Sequence, residues 1–246
     1  VFNMICIVMA IILFTLTNSY KKISFPTQSE AWTYLLIASF FYGINERIRF
    51  YALKLLEASI YSVIMNITVV VAFFISLFLY KEILTFSKTA GFFLILIAIA
   101  MVIEIKKSKL NLKGLFYGIA GSIMVGISMS LDKKGTIFFS PETYNILIWI
   151  IPFIVLYFPG IKIKEIRIEF KKFTWKIILL AFLNFMGFYL GLKAFFLTDA
   201  TKIIPIIQTS TIITVIFGIL LLNEKNNLLK KILAGIIAVV GVFLLR

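Results

Sequence analysis

The chain has 246 residues, 61% of them apolar, with a mean hydropathy of +1.05, more apolar surface than a water-soluble fold could hide beneath polar groups. It has no histidine, which excludes an imidazole general base, a Ser-His-Asp triad and a zincin motif, and its one cysteine, Cys6, excludes an intrachain disulfide or thiolate metal cluster. The formal charge of +14 does not make a nucleic-acid binder, because the basic residues stand in short connectors between apolar runs, as in Lys106-Lys107-Ser108-Lys109, where membrane proteins carry their orienting charge.

Nine apolar stretches are predicted to cross a bilayer as helices, which makes the fold class all-α: a polytopic membrane helix bundle. The first, at about residues 2 to 19, begins directly after Val1 with no basic segment or small-residue cleavage site, so it does not read as a signal peptide. The second, about 32 to 56, holds Asn45-Glu46-Arg47-Ile48-Arg49 at or beyond its centre. Three charges there would cost about 8 to 10 kcal/mol if they faced hydrocarbon. Glu46 and Arg49 share a helix face and can neutralise each other, whereas Arg47 points about 100° away and needs another partner or water. The third stretch, about 59 to 80, carries Asn66 and Thr68 near its middle, and the fourth runs from about 88 to 105.

The fifth stretch, about 112 to 131, opens with Gly114-x-x-x-Gly118, a close-packing face, and is followed by Asp132 and Lys133. Those two charges are submerged if the helix continues to Phe139, which is the reading favoured here. The sixth stretch, about 143 to 159, precedes a polar connector from Lys162 to Lys176. The seventh, about 174 to 197, contains a second spaced-glycine face, Gly187-x-x-x-Gly191, and places Lys193 inside a span by any boundary. The eighth, about 200 to 222, carries Pro205 and the polar run Gln208-Thr209-Ser210-Thr211, and the ninth runs from about 230 to 245.

The chain repeats itself. Residues Glu57 to Asn66 lie over Asp199 to Gln208 at a constant offset of 142, which holds from Ala52 over Ala194 to Glu82 over Glu224. Polar positions match as well as apolar ones: Asn66 meets Gln208 and Thr68 meets Ser210. A two-residue shift then brings Gly91 onto Gly235. The chain is therefore read as two repeats, 1–110 with four spans and 111–246 with five, the first expected to lack one helix at its amino end. An odd number of spans per full unit turns consecutive units over, so the repeats are predicted to be inverted.

The doubled pattern, Ala58 to Glu82 with Gly91 and Ala200 to Glu224 with Gly235, together with Ser130-Leu131-Asp132-Lys133-Lys134 and Ser140-Pro141-Glu142-Thr143, resembles the EamA unit of the drug/metabolite transporter superfamily. The resemblance covers nearly the whole chain and departs where Val63 stands opposite Pro205. It implies ten helices in an intact protein, a central cavity between the halves, a multi-pass position in the cell membrane, and movement of small metabolites or drugs.

The residues expected to meet the solute are the polar groups at membrane depth: Asn66, Thr68, Glu46, Arg47, Asp132, Lys193, Gln208, Ser210 and the helix-loosening Pro205. The predicted function is transport by alternating access, with solute bound near the midplane between inverted repeats. A channel or non-transporting scaffold is the alternative, and an intramembrane enzyme a weaker one. No cofactor is expected, and no Walker sequence is present. The expected partners are a small-molecule solute and the lipid bilayer, with a homodimer as a further candidate assembly and no nucleic acid.

Overall fold

The computed structural model describes residues 2–17, 25–79, 85–105, 111–157, 163–171, 174–197, 203, 206–207, 210–222 and 227–244. Every regular element among them is helical: α1 (Phe2–Leu16), α2 (Ser29–Leu55), α3 (Ala58–Ile64), α4 (Ile67–Leu79), α5 (Phe86–Ile105), α6 (Leu112–Phe138), α7 (Pro141–Tyr157), α8 (Ile163–Lys171), α9 (Trp175–Leu197), α10 (Ser210–Leu221) and α11 (Leu228–Leu244). Each of the nine apolar stretches contains at least one of these helices. Ala58–Ile75, Leu112–Phe138 and Trp175–Leu197 are long and apolar enough to cross a membrane by themselves. Many large apolar side chains stay exposed; on α9 these include Ile178, Phe182, Leu190 and Phe196, while Ala181, Phe185, Tyr189, Leu192 and Phe195 form one buried stripe. A helix that buries one stripe and exposes apolar groups elsewhere is shaped for lipid.

The chain divides into two compact units, one of Val1–Glu46 with Leu131–Thr198, the other of Arg47–Ser130 with Asp199–Arg246. Each takes helices from both sequence repeats, and the division falls within α2 and α6. In the first unit α1 packs on α7 and α9, burying Phe2, Cys6 and Ala10, and the Cys6 thiol points at the Ala181 carbonyl at 3.7 Å.

In the second unit α5 and α11, the matched terminal helices of the two repeats, pack against each other. They run antiparallel: Ser87 at the start of α5 donates to the Leu244 carbonyl at the end of α11, at 3.1 Å. A Cβ on Gly241 would fall 2.8 Å from the Gly91 carbonyl and 3.0 Å from the Ile95 amide nitrogen, so the backbones touch only because that side chain is absent. Lys231, buried in the first turn of α11, reaches Glu57 at 2.5 Å. This pairs a charge that burial alone would make prohibitive.

Two expectations needed correction. The stretch at 59 to 80 is not one helix: α3 and α4 are separated at Met65 and Asn66. The two spaced-glycine faces also differ. Gly114 and Gly118 do meet neighbours, Leu55, Leu56 and Ile64, whereas among the described residues nothing lies within 4 Å of a Cβ placed on Gly187. Glycine spacing flattens a helix face but does not dictate what covers it. Gly241→Val should therefore cost about 1 to 3 kcal/mol through forced overpacking, read as a clear fall in the detergent-solubilised melting temperature, whereas Gly187→Val should leave that temperature within error of the wild type.

Candidate functional site

Asp132 lies about 30 Å along α6 at 1.5 Å per residue, which puts it roughly 10 Å past the helix midpoint. The helix indeed continues past it to Phe138, and the residue is fully buried. Both carboxyl oxygens are held. The Tyr42 hydroxyl, from α2, donates to Oδ2 at 2.6 Å, and the Tyr144 hydroxyl, from α7, donates to Oδ1 at 2.8 Å. Both lengths fall within the ordinary range of O–H···O bonds, about 2.5 to 3.0 Å.

Local sequence builds this clamp. Ser140 caps α7, accepting the Thr143 amide at 3.2 Å, and Pro141 occupies the first helical position, where its missing N–H costs nothing. One turn in, Tyr144 is directed back at α6. Its ring lies on Gly135, where an added Cβ would be 2.7 Å from Cζ and 2.8 Å from the hydroxyl oxygen. Since Gly135 stands three residues after Asp132 on the same face, only glycine there lets the hydroxyl reach the acid.

Around the clamp the first unit is aromatic and polar. Phe188 stands edge-on to Tyr42 and to Trp149, with centroids 5.7 and 5.6 Å apart. The Trp149 indole donates to Asn145 Oδ1 at 3.1 Å; among the described residues neither Asn145 Nδ2 nor either amide atom of Asn3 on α1 has a hydrogen-bond partner. Both asparagines are buried, and a buried amide without a partner costs about 1 to 3 kcal/mol unless water or a ligand satisfies it. They are also the same position in the two repeats, because the offset of 142 carries residue 3 onto 145. That offset was the signal that would have found them. Tyr42 and Tyr144 had no such signal, since tyrosine is common in this chain.

The other predicted residues fall out as follows. Lys193 is half exposed, pairs with Glu142 at 3.7 Å and lies 4.9 Å above the Tyr189 ring, while the Tyr189 hydroxyl donates to Glu142 at 2.8 Å. Glu46 and Arg47 are half-buried on α2, and Ser210 is exposed at the start of α10. Pro205 and Gln208 lie outside the described residues.

Asn66 and Thr68 belong to the second unit, at the break between α3 and α4. The Asn66 amide bonds Val63 and the Thr68 amide bonds Met65, one residue short of the α-helical pattern, which frees the carbonyls of Ser62 and Ile64. Side chains take them up. Asn66 Nδ2 donates to Ser62 at 3.3 Å, Thr211 Oγ1 donates to it at 3.4 Å, and Ser122 Oγ donates to Ile64 at 3.3 Å. Asn66 also bonds Thr211 at 3.2 Å, and Thr68 bonds the Ser122 carbonyl at 3.1 Å. A break inside a membrane segment persists only when its loose backbone groups are satisfied in this way.

The model of the EamA-like transporter family matches residues 1–104 and 112–246 of the chain. No curated protein matches it significantly.

Removing either hydroxyl leaves one oxygen of a buried acid without a donor, so Tyr42→Phe and Tyr144→Phe should each cost roughly 1.5 to 3 kcal/mol. Gly135→Ala, which pushes the ring away, should lower the melting temperature at least as far as Tyr144→Phe, and combining those two should add little.

Proposed function

Because the chain belongs to the EamA-like transporter family, membrane transporters of the drug/metabolite transporter superfamily, we propose that it carries a small metabolite or drug across the cell membrane by alternating access. The solute binds within the membrane, roughly 10 Å past the midpoint of α6, among helices contributed by both inverted repeats. The observation that carries this reading is the buried carboxyl of Asp132, held by hydroxyls from one helix of each repeat and neighboured by aromatic rings.

A donor group on the solute replaces one tyrosine hydroxyl at Asp132, and the unpartnered amides of Asn3 and Asn145 offer matched donors and acceptors for the rest of it. Exchange of one hydrogen bond for another costs little, which suits a site that must release what it binds. The antiparallel run of α5 against α11 supports the inversion of the repeats. A rearrangement of the helices about this site is the motion that alternating access requires. The break at Asn66 supplies a place where a helix can bend. Lys193 with Glu142 is a charged pair that can change partners in that motion.

Counterflow in proteoliposomes, screened with amino acids, nucleosides and cationic drugs, tests the proposal. A saturable flux that falls at least tenfold in Asp132→Asn is the expected outcome. A current that rises without saturation would make the protein a channel, and no saturable flux with any of these classes would contradict the carrier reading.

A further inference from the structure

The connector between α7 and α9 was expected to be a polar loop, yet it contains α8, with sequence IKEIRIEFK. At about 100° per residue most of its side chains fall into three stripes, with Ile168, 46% exposed, standing apart from them between the second and the third. Ile166 and Phe170 form one. Lys164, Arg167 and Lys171 form a second, about 110° from the first. Glu165 and Glu169 form a third, nearly opposite the line midway between the other two. Phe170 is 50% exposed, and all three basic residues are exposed.

The covalent chain fixes where this helix can be. Three residues separate Lys171 from Trp175, so its backbone can lie no further than about 14 Å from the first residue of α9, a helix long and apolar enough to cross a bilayer. Trp175 itself is 67% exposed, an indole at a span end, where such rings sit among headgroups. A helix tethered there, with an apolar stripe flanked by a basic one, has the make-up of an interfacial element.

We infer that α8 lies in the headgroup layer and binds anionic phospholipid headgroups through Lys164, Arg167 and Lys171, with Ile166 and Phe170 inserted at the acyl boundary. The two glutamates do not cancel this attraction. They project from the far side of a helix about 10 Å thick, close to one Debye length from the headgroups. Each basic residue at the surface is worth about fivefold in partition, so three contribute up to roughly a hundredfold.

Spin labels read the placement directly. In a Cys6→Ser background, the full chain is labelled at Ile166→Cys or Glu165→Cys and placed in nanodiscs of phosphatidylcholine alone or mixed with phosphatidylglycerol. The label at 166 should be more accessible to oxygen than to a nickel chelate, and the label at 165 the reverse. Phosphatidylglycerol should raise the oxygen-to-nickel ratio at 166 at least twofold, and Lys164→Gln/Arg167→Gln/Lys171→Gln should abolish that rise. Equal chelate access at both positions would place α8 in water and overturn the inference. So would a label at 166 shielded from both reagents in every nanodisc, which would mean protein cover such as a second copy of the chain, or a ratio that ignores lipid charge.

Discussion

A polar group in hydrocarbon has no water to turn to, and that single constraint organises this molecule. It forces the backbone into helices, and it forces each polar side chain at depth to find its partner on another helix. Several of the partners found come from opposite repeats: Tyr42 with Asp132, Asn66 with Thr211, Thr68 with the Ser122 carbonyl, Glu57 with Lys231, and Ser87 with the Leu244 carbonyl. Within each compact unit, hydrogen bonds and ion pairs thus link the two halves of the sequence. Apolar packing alone could not select those pairings, because lipid tails are as apolar as leucine.

The same constraint explains why a helix break and a buried acid can both persist. At Asn66 the backbone gives up two carbonyls, and three neighbouring side chains accept the task of satisfying them. At Asp132 the solution is the reverse, with two hydroxyls brought to one acid by a capped helix start and a glycine. The unpaired amides of Asn3 and Asn145 stand out against this background. They belong to the same compact unit as the acid and occupy matched positions of the two repeats.

Much of this was legible in the sequence. Long apolar runs have one stable form in lipid, so the all-α class followed directly, and α6 does run on past Asp132 to Phe138 as the favoured reading required. What was hidden had physical reasons. The break between α3 and α4 has no proline or glycine to mark it; it depends on Asn66 finding Thr211, a contact 145 residues away in sequence. Helix α8 was obscured because its charges read as a connector, although their spacing is helical. Tyr42 and Tyr144 matter only through the acid they reach, and nothing in a string of residues shows reach. The asparagine pair was readable through the repeat offset, which had been applied to the charged and proline-bearing positions but not to residue 3.

The claim on which the account turns is that the two repeats are inverted, so that equivalent helices meet head to tail. Disulfide trapping measures it most directly. In a Cys6→Ser background, Ser87→Cys paired with Leu244→Cys should form an intrachain crosslink under mild oxidation, whereas Ser87→Cys paired with Lys231→Cys should not. The opposite result, trapping with position 231 and none with 244, would place α5 and α11 parallel and contradict the inverted arrangement.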